Sequence, residues 1–536
     1  MSAALNRRRF LANLGAALAG PAAKGTARQE TPSAPPVAPV QEQHAPPVAP
    51  KPATPKPLTI NIDARHGVGP LDHYWESIVG SGRASLAFRA DYQKDLKQVH
   101  DAAGMQAVRF HGIFDDDDGV CWLDSRGDVV YNFQYVDQIY DSLLDAGVRP
   151  FVELSFMPAA LASGNKTVFW YKGNVTPPKD MDAWVAMITA FARHLFTRYG
   201  GGEISHWFFE VWNEPNLDFW AGTQDQYFEL YRRTALALKA VDKRVRVGGP
   251  ASAEAAWAPD FIKYCSQHNA PVDFFSTHIY ANDPQQKVFG PQGHYALEDV
   301  IPLALQKVRN AIASSPMPHT PIFITEWNST YMNVSAVTDS CFNAAFIVHT
   351  LDRCRGLVDA MSYWCFSDVF EEQGVPKNIF YGGFGLIAIR RIPKPSLHAF
   401  TLLHRLGNGR LQAGEGPVLA TARADGSVAI IAWNLVSRDE HGTPASGEPI
   451  ELRLVVRGLQ HRKNLSVTRV DDEHGSVLPA YQKMGSPRYP TETQIEALRK
   501  AGALPAPETS LVAGGEYTNV PLTLPPNGIA LLEFKG

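Results

Sequence analysis

Between residues 71 and 405, eight short β-rich runs alternate with segments of helical spacing, and this alternation constrains the fold more than any other feature of the chain. The runs are YWESIVGSG, AVRFHG, RPFVELS, HWFFEVWNEP, VRVGGP, VDFFSTHIY, PIFITEWN and AMSYWCFS. Ahead of the third, Val136, Ile139, Tyr140, Leu143 and Leu144 recur at helical spacing and stop at Gly147. Leu96, Val99 and Ala103 do the same before Gly104, as do Trp184, Met187, Phe191 and Leu195 before Gly200. Such spacing marks the apolar face of a helix, and a following glycine is a common stop. Strands joined through helices run parallel, so eight such units predict an α/β chain: a (β/α)8 TIM barrel over residues 71–405. Its active site is then expected at the C-terminal ends of the strands.

Beyond residue 405 the pattern changes to short strands and turns. LATARADGSVAIIAWNLV carries an Asp-Gly hairpin signal, and IELRLVVRGL, NLSVTRVDD and GIALLEFKG follow it, which predicts an accessory β-sandwich over 406–536. Thr493 and Glu496 within TQIEALRKAG have capping-box spacing. The strand-like LTINIDA, within residues 58–70, is expected to join the sandwich although it precedes the barrel.

The N-terminal residues belong to neither unit. NRRRFLANLGAALAGPAA begins with Arg7, Arg8 and Arg9 and continues into a short, weakly apolar stretch of small residues. Residues 1–27 therefore look like a twin-arginine export signal, too short to span a bilayer, and the expected location is the bacterial periplasm. Residues 28–57 form a Pro-rich linker, with ten prolines from Pro32 to Pro57, expected as an extended tether. The five cysteines include no C-x-x-C pair, which argues against a zinc site or a disulfide framework. A net charge of -4 without a long basic run gives no footprint for nucleic acid or an anionic membrane. A homo-oligomer is compatible with the chain.

The residues that close the runs carry the chemistry. Asn213-Glu214-Pro215 ends the fourth, Thr325-Glu326-Trp327 the seventh, His278 and Tyr280 the sixth, and Trp364 lies in the eighth. Two glutamates on separate strands facing one mouth suit glycoside hydrolysis, in which one carboxyl protonates the leaving oxygen and the other attacks the anomeric carbon. Asn213 can donate to a sugar hydroxyl, and the 11 Trp and 27 Phe suit a sugar cleft as well as a core. Glu153 and Glu210 lie earlier in their runs, where a structural role is expected. The acidic run Asp115 to Asp118 fails the calcium-loop pattern, because Phe114 occupies the position of the first ligand, and it is expected as a solvated loop. No metal and no cofactor is called for.

Taken together, SGRASLAFRADY, RFHGIFDDD, YNFQYVDQIYDSLLDAGVRPFVELSFMP, FFEVWNEPN, ITEWNSTY, SYWCFSDVFEE, FYGGFGLIAI and GSPRYPTETQIEAL resemble glycoside hydrolase family 39. The resemblance is closest to its bacterial β-xylosidases and runs from about residue 60 to the C-terminus. It implies Glu214 as acid/base and Glu326 as nucleophile. It implies sugar contacts from His111, Asn213, His278, Tyr280, Trp364, Glu371 and Glu372. The implied reaction is release of D-xylose from the non-reducing ends of β-1,4-xylooligosaccharides with retention. The leader and tether lie outside the resemblance, and HIYANDPQQKVFG departs from it on the leaving-group side.

Other activities are weighed by the same residues. An α-L-arabinopyranoside differs from a β-D-xyloside at the 4-hydroxyl, which the sequence does not distinguish. An α-L-iduronide carries a carboxylate that Glu371 and Glu372 would repel. A catalytically inactive carbohydrate-binding protein would not need both Glu214 and Glu326. Of five Asn-x-Ser/Thr sequons, the one at Asn328 stands two residues after Glu326, where a glycan would block the mouth, so the sequons read as chance.

Overall fold

The computed structural model describes residues 57–438, 447–460 and 463–536. The expected export signal, and all of the expected linker except Pro57, lie outside the described residues. Each of the eight runs contains a strand: β1 Val79–Arg83, β2 Ala107–His111, β3 Arg149–Leu154, β4 Phe208–Val211, β5 Arg246–Ser252, β6 Phe274–Tyr280, β7 Ile322–Asn328 and β8 Ala360–Tyr363. They form a closed parallel barrel in chain order, with β8 pairing back onto β1 through Tyr363 and Val79.

The connecting helices follow the spacing. The helix Ala90–Ala103 stops at Gly104, whose left-handed backbone (φ 70°) returns its N–H to His100. The helix Gln134–Asp145 buries Val136, Ile139, Tyr140 and Leu143. Met181–Ile204 is two helices that meet at a kink: Gly200, at φ 79° and ψ 151°, leaves the helical conformation and so stops the first helix where the spacing predicts, and Ile204 is buried beyond it.

Side-chain alternation along the strands sorts the barrel interior into layers. Phe151, Phe208, Phe274 and Phe323, from four strands, plug the N-terminal end, with the Phe274 and Phe323 rings stacked at 4.7 Å. One pleat further along lie Arg109, Glu153 and Glu210, all buried. The aromatic plug thus confines polar chemistry to the C-terminal end.

Leu58–Pro70 pairs antiparallel with Gly409–Ala413 and parallel with Ile450–Leu459, inside a nine-stranded sheet. Residues from distant strands of that sheet, such as Leu465 and Leu522, share one apolar core, so the sheet folds over on itself. Alternate residues of Val428–Trp433 serve two cores. Val428, Ile430 and Ala432 face the sheet's own interior, whereas Ala429, Ile431 and Trp433 join the barrel's core. Barrel and accessory sheet are therefore one compact unit from Pro57 to Gly536. The helix Glu492–Ala501 is capped by Thr491 and Gln494 rather than by Thr493 and Glu496. Both pairs have the required spacing, and burial of Ile495 and Leu498 selects the earlier frame.

Candidate active site

Arg109 organises the site. It is fully buried in β2 and its guanidinium meets four groups: Glu153 at 2.7 Å, Glu210 at 2.6 Å, Glu326 at 2.9 Å and the Asn213 Oδ1 at 3.0 Å. A buried guanidinium is tolerable only when its donors are matched in this way. Because Arg109 donates to the Asn213 oxygen, the amide is oriented with Nδ2 left to donate elsewhere. Burial alone would lower the Arg109 pKa, but Glu153, Glu210 and Glu326 reverse this and hold it above the ordinary range. In the sequence Arg109 shows only as a lone cation within an apolar strand, which does not reveal its place at the centre of the site.

Glu326 reaches the interior through a break in register. Thr277 pairs with Ile324 and His278 with Glu326, which leaves Thr325 as an extra residue on β7. Strict alternation from the inward Phe323 would turn Glu326 outward, and the bulge turns it back. Its two carboxylate oxygens are held separately, Oε1 by Arg109 and Oε2 by the Tyr280 hydroxyl at 2.8 Å. Glu214 follows β4 on a backbone with Trp212 at φ 74° and Glu214 itself at φ 42°. Left-handed residues cost on the order of 1–3 kcal/mol each, and neighbouring bonds must hold them. Here the Glu214 N–H donates to Ala251 at 2.9 Å and the Trp212 indole to the Phe219 carbonyl at 2.7 Å. His278 stands between the carboxylates: its Nδ1 lies 3.1 Å from Glu214 and 3.6 Å from Glu326, and its Nε2 3.1 Å from Thr325.

The remaining implied contacts divide. His111 Nδ1 meets Glu153 at 2.8 Å, while Nε2 lies 3.6 Å from Glu372 and 3.7 Å from Glu326. Burial would lower its pKa, but Glu153, then Glu372 and Glu326, raise it to about 10, so His111 is cationic at neutral pH. The Trp364 ring centre lies 4.9 Å from that of His111, and the indole packs against β1 at Gly80, where a Cβ would stand 2.4 Å from it. Glu371, in contrast to its neighbour, is already engaged by Arg89 at 3.2 Å and Arg83 at 3.6 Å. The structure therefore separates the pair that the sequence presents together. Asp115 and Asp118 are buried rather than solvated; Asp118 accepts from Ser85 at 2.8 Å, and burial pushes its carboxyl up to about 7. Asn328 is also buried, donating to the Trp364 carbonyl at 2.7 Å, so its sequon is inaccessible.

Burial pushes the Glu372 carboxyl up; His111 opposes this and Glu326 and Glu214 reinforce it, leaving it at about 7. A carboxyl raised in the folded state stabilises it at low pH, and that contribution is lost as pH rises from the unfolded value, about 4.3, through the folded one. Glu372→Gln lacks this titration. Its melting temperature relative to the parent should therefore climb between pH 4.5 and 7, and a pH-independent difference would contradict the assignment.

The family model for glycosyl hydrolases family 39 matches residues 58–516. The chain is a family 39 glycoside hydrolase. A β-xylosidase of Geobacillus stearothermophilus is 40% identical to it over 474 residues, covering 86% of this chain and 92% of the relative. A β-xylosidase of Caldicellulosiruptor saccharolyticus is 39% identical over 493 residues, covering 89% and 98%. The solved monomeric β-xylosidase of Caulobacter crescentus CB15 superposes on this hydrolase with a TM-score of 0.82 at 36% identity, covering 89% of this chain and 99% of that one. The superposition is thus extensive enough to take in both the barrel and the accessory sheet of this enzyme.

Proposed function

We propose that this glycoside hydrolase removes terminal β-D-xylose from xylooligosaccharides with net retention, using Glu326 as nucleophile and Glu214 as acid/base. The carrying observation is a separation: an oxygen of Glu214, an oxygen of Glu326 and a nitrogen of His278 all lie within 4.8 Å of one another. Retaining enzymes place their carboxyl groups about 5–5.5 Å apart and inverting ones about 6.5–9.5 Å, the difference being room for a water. So short a separation favours attack by the carboxylate itself.

The sequence of events follows from the contacts. Arg109 and Tyr280 fix the Glu326 carboxylate, and one of its oxygens attacks the anomeric carbon. Glu214, oriented by His278, donates its proton to the departing oxygen as the glycosidic bond breaks, and a glycosyl ester on Glu326 results. Water then enters on the vacated side and gives a proton back to Glu214. Its oxygen attacks the anomeric carbon and displaces Glu326, so two inversions restore the configuration. The Asn213 amide and Glu372 are the sugar-orienting groups, with cationic His111 and Trp364 completing the wall. The similarity to β-xylosidases over most of the chain favours a pentoside over a carboxylated sugar.

Initial rates on 4-nitrophenyl β-D-xylopyranoside, α-L-arabinopyranoside and α-L-iduronide test the substrate. Xyloside turnover should dominate, and EDTA should leave it unchanged. Clear activity only on another glycoside would keep the two glutamates and remove xylose from the account. The arginine-rich leader supports export to the periplasm and a place in xylan breakdown outside the cytoplasm. Replacing Arg7, Arg8 and Arg9 by Lys should retain the enzyme in the cytoplasm on fractionation, and unchanged export would overturn that location.

A further inference from the structure

The mouth of the barrel is closed unevenly. Around the ring the order is β8, β1, β2, β3, so the loops after β3 and β8 are not neighbours. They are nevertheless joined: the Trp170 backbone N–H donates to the Glu372 carbonyl at 2.8 Å, across the ends of β1 and β2. Arg83, the last residue of β1, supports the crossing, with its guanidinium carbon 4.9 Å from the centre of the Tyr171 ring. Phe169 stacks on His111 at 5.7 Å with the planes 17° apart. Phe169 and Lys172 both have left-handed backbones, at φ 61° and 62°, a strain that persists only where the surroundings impose it. Trp170 stands at the outer edge of this crossing. It is 57% exposed, and its indole lies beside Gly374, where a Cβ would come within 3.4 Å.

Glu214 belongs to the opposite side of the ring, following β4 and meeting His278 of β6. With Glu214 as the acid, the glycosidic oxygen must lie within its reach. In a pyranose, C1 and C4 are opposite corners, so O4 of the bound sugar points away from Glu214, toward the place where the loops after β3 and β8 meet. We propose that this crossing, with Trp170 as its outer face, is the barrier that excludes a second sugar beyond O4 and so confines cleavage to the terminal residue. Specificity would then be set by obstruction of the longer binding mode, not by added contacts to the shorter one. The inference rests on the reading of Glu214 and of a β-xyloside substrate given above. An exposed indole can also be a stacking platform for a further sugar, and the two roles predict opposite behaviour.

The probe is 4-nitrophenyl β-xylobioside. The parent should release xylose first, so that nitrophenolate appears after a lag and xylobiose does not form. Trp170→Ala removes the indole and keeps the backbone bond; it should release xylobiose and nitrophenolate together, with the lag lost. Trp170→Phe, which retains a ring, should keep the parent pattern. A Trp170→Ala variant that still yields only xylose first would overturn the barrier. So would one that also loses turnover of 4-nitrophenyl β-xyloside, since Trp170 would then serve the terminal sugar itself. Absence of xyloside turnover by the parent in the same assay would instead overturn the substrate reading.

Discussion

Glu326→Gln is expected to lower turnover of aryl β-xylosides by on the order of 10⁴-fold or more, because an amide cannot form the glycosyl ester. The substitution is nearly isosteric. Arg109 can still donate to the remaining carbonyl oxygen at the position that it now holds 2.9 Å away, so the pocket should keep its shape. Binding of xylose or of an unhydrolysed xylooligosaccharide, measured by calorimetry, should therefore survive. That split separates an enzyme from a sugar-binding protein built on the same barrel. Parent-like turnover in Glu326→Gln would remove Glu326 from the chemistry.

Arg109→Met should be more damaging to the fold than any single change in the sugar-contacting residues. It leaves the carboxylates of Glu153, Glu210 and Glu326 without their shared cation in a buried layer. Breaking a buried ion pair on one side costs about 3–5 kcal/mol, read here as a lower denaturant midpoint. Arg109→Lys is the informative companion. An ammonium retains the charge, so part of the stability should return, but it lacks the planar fork that reaches Glu210, Glu326 and Asn213 together. Activity should stay low in Arg109→Lys at temperatures where it is fully folded. A Lys variant with parent-like kcat would show that charge alone, not the fork, orients the site.

What the sequence could reveal follows from which forces are local. The eight runs and most of their helices were legible because apolar periodicity reports burial directly, and Glu214 and Glu326 stood out because both close such runs. The inward turn of Glu326 was not legible. It depends on the extra residue at Thr325, which is defined only by pairing with β6. Arg109 was visible as a residue but not as a hub, since its partners come from β3, β4 and β7 and from the segment after β4. Glu371 and Glu372 are adjacent in the chain, yet one meets arginines and the other His111, a division that only Arg83 and Arg89 explain. The same holds for Asp115 and Asp118, where the acidic composition suggested solvent and the loop's packing against Ser85 and Gly112 buries both. Apart from Asp115, which packs on the nearby Gly112, the deciding partner is distant in sequence.

The most direct test of the account is to trap its intermediate. A 2-deoxy-2-fluoro-β-xyloside with a good leaving group slows both steps but leaves the first achievable, so the glycosyl ester should accumulate. Peptide mass spectrometry of the inactivated enzyme should then find one fluoroxylosyl group, on Glu326. Attachment to Glu214 or to another residue would contradict the assigned roles. Turnover of xyloside to α-xylose with no label formed would contradict the double displacement itself.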